Sequence, residues 1–214
     1  GRRALMPRAL GQIDVRKSEA ILDAASELMA ERGLAATVEE IARRAGVSKQ
    51  TVYNHFGGRE EIVRALADRR ASLVAAPLAE PGAAEDPEAA LYGFARSLLT
   101  AIATARHAEV MRMSILHAAE HPDLAEIIFN AGPRTSRRRL AAFLEAEHRA
   151  GRMTVDDPAL AADFYAGMVL GSLQLQGLLG LGAPDEATIE RRARAAAAAF
   201  MRACAPRQPV AANA

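Results

Sequence analysis

Lys49, Gln50, Tyr53 and Asn54 fall on one side of a single short stretch, with Thr51 and His55 at its flanks. Val52 and Phe56 repeat four residues apart on the other side, as the buried positions of a helix do. An ammonium, a phenol and hydroxyls can bind phosphate oxygens, and the side-chain amides of Gln50 and Asn54 have the geometry to bond an adenine edge bidentately. That is the chemistry of recognition, not of bond making. The alternatives for catalysis are poorer. Glu145 and His148 have the i, i+3 spacing of helical di-metal carboxylate sites, but the chain holds no second Glu-x-x-His to complete one. His117 and His121 lie four apart without an accompanying carboxylate or thiolate cluster, and Pro122 follows at once. Neither a Gly-rich phosphate loop nor a G-x-S-x-G turn occurs, and Cys204 stands alone. No catalytic residue, metal or cofactor is expected, and the chain is not expected to be an enzyme.

The elements that must position the polar set are legible around it. Thr37 and Glu40 have the spacing of a capping box, followed by Val38, Ile41, Ala42 and Ala45 on one helical face. Gly46 is placed to end that helix in the left-handed region, and Ser48 to cap the next. Two short helices joined by a tight turn, the second packed on one side and open on the other, form a helix–turn–helix. A preceding helix from about Val15 to Arg32 carries Ile21, Ala25, Leu28 and Met29 and stops at Gly33. Residues 1–12, with Arg2, Arg3 and Arg8 beside Pro7 and Gly11, read as a flexible basic arm. The helix–turn–helix domain is then 13–57. Arg59, Glu60 and Glu61 open a connecting helix over 58–76, whose apolar residues include Ile62, Val63, Leu66, Leu73 and Val74.

Composition sets the frame. Half of the 214 residues are apolar and only 4% aromatic, and Ala-, Leu-, Arg- and Glu-rich stretches favour an all-α chain of about nine helices. The net charge of +1 excludes a generic polyanion binder; residues 1–76 carry a balance of +3 and the remainder −2. A single cysteine fits a reducing, cytoplasmic setting, and no apolar stretch reaches a membrane span, so no membrane partner is expected. Residues 77–204 read as a larger helical bundle behind a linker at 77–87, and 205–214 as a disordered tail. The Arg134, Arg137, Arg138 and Arg139 cluster reads as a solvated helix face. Asp86-Pro87 and Asp157-Pro158 are helix starts, Gly132-Pro133 is a break, and Pro158 to Leu179 is a single helix apolar nearly all round. That helix and the Ala-rich last one, from about Asp185 to Cys204, are expected to form a two-fold homodimer interface.

The run from Thr37 to Arg59 resembles the DNA-binding domain of TetR-family transcriptional regulators, through Ala42, Ala45, Gly46, Val47, Ser48, Tyr53, Phe56 and Arg59. More loosely, H-P-D-L-A-E-I-I-F-N-A-G-P and D-D-P-A-L-A-A-D-F-Y resemble one of the family's C-terminal domains. The resemblance implies a dimer on a palindromic double-stranded operator, usually a repressor that a small molecule releases. It also implies phosphate contacts from Thr37, Ser48, Tyr53, His55 and Arg59, with Lys49, Gln50, Thr51 and Asn54 at base edges or nearby phosphates. A pocket for an apolar or aromatic effector would draw on Phe94, Leu98, Met111, Ile115, Phe129, Phe164, Tyr165 and Met168, with polar contacts from His117, Tyr165 or Gln174. Two readings compete: a helical small-molecule-binding protein or enzyme that leaves its DNA-binding domain unused, and an activator that needs no ligand.

Overall fold

The computed structural model describes the backbone of residues 7–206 and the side chains of 14–206. Arg2 and Arg3 of the expected arm, the Arg8 side chain and residues 207–214 of the expected tail lie outside those bounds. The described chain is all-α and contains eleven α-helices and two short 3₁₀ turns. They are α1 (Pro7–Arg32), α2 (Val38–Ala45), α3 (Lys49–Phe56), α4 (Arg59–Ala75), α5 (Pro87–Ile102), α6 (Ala105–His117), α7 (Pro122–Ala131), α8 (Pro133–Arg149), α9 (Pro158–Leu170), α10 (Leu173–Leu178) and α11 (Glu186–Ala203). The 3₁₀ turns cover Gly33–Ala35 and Ala76–Ala79.

Two helices differ from the sequence reading. The first begins at Pro7, well before Val15. Proline is tolerated at a first helical position, where its missing N–H is not needed, and one internal glycine costs only about 1 kcal/mol, so Pro7 and Gly11 do not stop the helix. The long apolar segment is not one helix but two. Gly171, at φ 47° and ψ −130°, ends α9. Arg192 of α11 reaches across to the freed carbonyls, donating from Nε to Val169 O at 2.5 Å and from Nη2 to Met168 O at 3.1 Å. A β-carbon on residue 171 would lie 2.0 Å from Arg192 Nη2, so glycine makes this clasp sterically possible.

The chain forms two compact units: the described part of Gly1–Asp68 with Ala105–Ala131, and Arg69–Thr104 with Gly132 onward. In the first, Ile21, Ala25 and Leu28 of α1 pack with Val38 and Ile41 of α2, Val52 of α3 and Ile62 of α4. Met29, Leu34 and Val63 form a second cluster with Leu124 of α7. The helices α6 and α7 therefore belong to the same unit as the helix–turn–helix. In the second unit, α5, α8, α9 and α11 enclose one core. Its centre is an aromatic run in which the Tyr165 ring lies 6.2 Å from Phe94 and 4.8 Å from Phe200. Asp86 and Asp157 cap α5 and α9 as their Asp-Pro pairs predict, each accepting a backbone N–H at 3.0 Å. The small-residue face of α11 is used inside this unit, where Ala193, Ala196, Ala197 and Phe200 are buried. Leu73, expected on the apolar stripe of α4, is 68% exposed.

Candidate nucleic-acid interface

The helix–turn–helix is built by local hydrogen bonds that its sequence specifies. Thr37 N donates to Glu40 Oε2 at 2.9 Å while Glu40 N donates to Thr37 Oγ1 at 3.3 Å, closing the capping box. Replacing such a cap by alanine costs about 1 kcal/mol. Gly46 has φ 70°, and Val47 N reaches back to Ala42 O at 3.0 Å, which satisfies a terminal carbonyl of α2. Ser48 Oγ then accepts the Thr51 N–H at 3.0 Å and starts α3. The turn is thus capped on both sides, and the direction of α3 follows from it.

On α3, Val52 is fully buried and Phe56 half-buried, while Lys49, Gln50, Tyr53 and Asn54 are exposed. Thr51 and His55 are half-buried at the flanks. The division of faces expected from spacing is the one observed. The outward groups are already partnered with one another or with α2. Gln50 Nε2 donates to Asn54 Oδ1 at 2.9 Å, so the two amides form one polar edge a turn long. The Lys49 ammonium pairs with Glu39 of α2 and lies 5.7 Å from the centre of the Tyr53 ring. The hydrogen bond to Glu39 raises the Lys49 pKa, and the same bond lowers that of Glu39. Ser48 and Thr51 hydroxyls lie 2.8 Å apart.

Three of the residues assigned to phosphates by resemblance are engaged inside the domain. Thr37 is committed to its capping box, donating also from Oγ1 to Glu40 Oε2 at 3.1 Å. His55 lies between two groups of α1, with Nδ1 2.8 Å from Ser18 Oγ and Nε2 3.5 Å from Asp14 Oδ1. Arg59 donates from Nη1 to Leu34 O at 3.2 Å and Ala36 O at 3.5 Å, tying the start of α4 to the turn before α2. A phosphate contact from Arg59 would therefore use its other guanidinium nitrogens. Sequence reasoning missed Glu39, Ser18 and Asp14; the last two meet His55 only through the packing of α1, which no local spacing encodes.

The residues proposed for an effector pocket divide between the two units. Met111, Ile115, His117 and Phe129 belong to the first. Ile115 is 58% and Phe129 51% exposed, contrary to the inward placement their size led us to expect, because α6 and α7 turn other faces to their core. His117 Nδ1 lies 3.0 Å from Met113 O and against Gly33. In the second unit Phe94 and Tyr165 are fully buried, and the Tyr165 hydroxyl donates to Leu91 O at 2.8 Å, so that phenol is already satisfied. Burial raises its pKa. Leu98 and Gln174 are half-buried. Phe164 and Met168 are 62% and 41% exposed, which again corrects their inward assignment. They share an uncovered side of α9 with Leu160, one turn before Phe164.

The other polar sets are engaged elsewhere. Glu145 pairs with Arg149, and His148 Nδ1 accepts the Val155 N–H at 3.2 Å. Arg137 donates to Asp163, Arg138 to Thr135 and Arg139 to Ser72. Among the described residues no three metal-ligating side chains cluster, and no helix is long and apolar enough to cross a membrane.

A capped supporting helix carrying an exposed, amide-rich second helix defines the class: a helix–turn–helix regulator that binds DNA. Comparison with known proteins agrees. The family model for bacterial regulatory proteins of the tetR family matches residues 21–66, and that for the AefR-like transcriptional repressor C-terminal domain matches 89–206. The chain belongs to the TetR family of transcriptional regulators. The structure of the flavonoid-responsive regulator FrrA is 32% identical, with a TM-score of 0.69 over 90% of this chain and 99% of that one. A TetR transcriptional regulator from Agrobacterium tumefaciens is 29% identical, with a TM-score of 0.71 over 89% and 95%. The HTH-type transcriptional regulator AlkX of Mycobacterium tuberculosis is 36% identical over 115 residues, 51% of this chain and 52% of AlkX. The matched part thus spans about half the length of that relative.

Proposed function

We propose that the chain is a cytoplasmic, homodimeric repressor that leaves a palindromic operator when a small apolar or aromatic effector binds its C-terminal domain. The observation that carries this reading is the α3 surface: Val52 fully buried, with Lys49, Gln50, Tyr53 and Asn54 exposed around it. Gln50 and Asn54 read adenine, Lys49 and Tyr53 approach flanking phosphates, and one protomer offers too few such contacts to select a site alone. Dimerisation supplies the second set. The uncovered apolar side chains Leu160, Phe164 and Met168 on α9, with Leu175, Leu179 and Leu181 on and after α10, support an interface there. Repression is favoured by relatives such as the transcriptional repressor KstR2 of Mycobacterium tuberculosis, 44% identical over 62 residues, and an aromatic effector by the flavonoid response of FrrA.

Gel shifts against the DNA flanking the chain's own gene test the reading. Specific, salt-sensitive binding with two protomers per site is expected, and Gln50→Ala should relax base preference by roughly 1–3 kcal/mol at one position per half-site. Unselective binding by wild type, or unchanged preference in Gln50→Ala, would overturn the assignment of α3 as the reading helix.

A further inference from the structure

Arg70 lies on α4, about three turns beyond Arg59. Its Nη2 is sealed from solvent, and no acceptor among the described residues reaches it. Intrahelical rescue is impossible, because the positions three and four residues away are Leu66, Ala67, Leu73 and Val74. Burial without a counter-charge pushes the guanidinium down to about 10. Arg70 as a whole is half-buried, and the fold treats its fully buried carboxylate differently. Glu147 is 1% exposed and receives two bonds from Arg152, from Nε at 2.6 Å and Nη2 at 3.0 Å. Native proteins rarely leave a sealed polar atom unsatisfied, and one that belongs to a cation is among the costlier cases. Leucine or methionine would fill the space without that penalty.

We infer that Arg70 is the receptor for a carboxylate on the effector, so that the small molecule this regulator responds to is an organic acid with an apolar body. The inference rests on the ligand-responsive reading above and adds the chemical class. A guanidinium fork matches a planar carboxylate with two parallel N–H bonds, which an ammonium cannot do. The apolar residues one turn away on α4, Leu66, Ala67 and the buried Val74, favour an acid whose remainder is hydrocarbon or aromatic over a strongly hydrated inorganic anion. Arg70 also shares one helix with Arg59, whose guanidinium holds the turn before α2.

The full chain is titrated calorimetrically with octanoate, decanoate, cinnamate and 4-hydroxybenzoate, each beside its own methyl ester, in wild type, R70M and R70K. At least one acid should bind wild type about tenfold or more tightly than its ester, R70M should lose that difference, and R70K should keep only part of it. Ligand-free R70M should melt no lower than wild type, because it removes an uncompensated charge and keeps an apolar stem. An acid-over-ester preference that survives in R70M, the lack of any such preference in wild type, or a lower melting temperature for R70M would overturn the assignment. Gel shifts with the same compounds separate the two readings. Esters that release DNA as well as acids do would sink the carboxylate receptor and leave ligand response standing. Acids that bind through Arg70 without releasing DNA would do the reverse.

Discussion

Gly33→Ala is the sharpest test of how the first unit is assembled. Gly33 has φ 56°, and an alanine there carries roughly 1–2 kcal/mol of left-handed strain. The added β-carbon would also lie 2.6 Å from Met113 O and 2.6 Å from His117 Nδ1. The carbonyl belongs to the backbone of α6 and cannot rotate away, and moving the imidazole breaks its contact with that same carbonyl at 3.0 Å. Overpacking of this kind adds about 1–3 kcal/mol, for a total of roughly 2–5 kcal/mol. Gly46→Ala is the matched control. Its φ of 70° imposes similar strain, but a β-carbon there meets nothing within 4 Å. Both variants are unfolded in urea at equal protomer concentration, because the proposed dimerisation would make stability depend on it. Gly33→Ala should lose about 1–3 kcal/mol more than Gly46→Ala. Equal losses would refute the close approach of α6 to the turn at Gly33.

Other substitutions probe single contacts. Thr37→Ala and Glu40→Ala should each cost about 1 kcal/mol, and the double variant clearly less than their sum, because both remove one reciprocal cap; thermal melts of all three decide it. Arg152→Ala strands the buried Glu147 carboxylate and should cost about 2–4 kcal/mol by urea unfolding, with Glu147→Gln in the same background recovering part of the loss. Tyr165→Phe removes the bond to Leu91 O and should lower stability by about 1 kcal/mol while leaving effector affinity intact, since that hydroxyl faces the core. A loss of effector affinity without a loss of stability would return Tyr165 to the pocket.

The helix–turn–helix was legible in the sequence because its determinants are local. Thr37, Glu40, Gly46 and Ser48 act within a few residues of themselves, and the spacing of Val52 and Phe56 orients α3. Tertiary placement was not legible in the same way. That His55 meets Ser18, that Arg59 holds Leu34 O, and that α6 docks at Gly33 all depend on packing between segments far apart in sequence. Size and apolarity alone were a poor guide on amphipathic and apolar helices, and so Ile115, Phe129, Phe164 and Met168 were misplaced inward. The break at Gly171 escaped notice because its cause, Arg192, lies on another helix. Nothing in the sequence around Arg70 distinguishes it from a solvated charge; the sealed, unpartnered Nη2 does.

The internal partnerships of α3 bear on how the protein would search a genome. Lys49 is paired with Glu39, and the Gln50 amide donates to that of Asn54, so α3 itself presents no uncompensated lysine to random duplex. Sliding along unrelated DNA should therefore be brief. If α3 reads DNA as proposed, arrest requires a phosphate to draw Lys49 from Glu39 and an adenine edge to take the place of the amide pair. On that reading the discrimination would reside in an exchange of partners, and wrong sequences would fail because they offer nothing better than what the helix already holds.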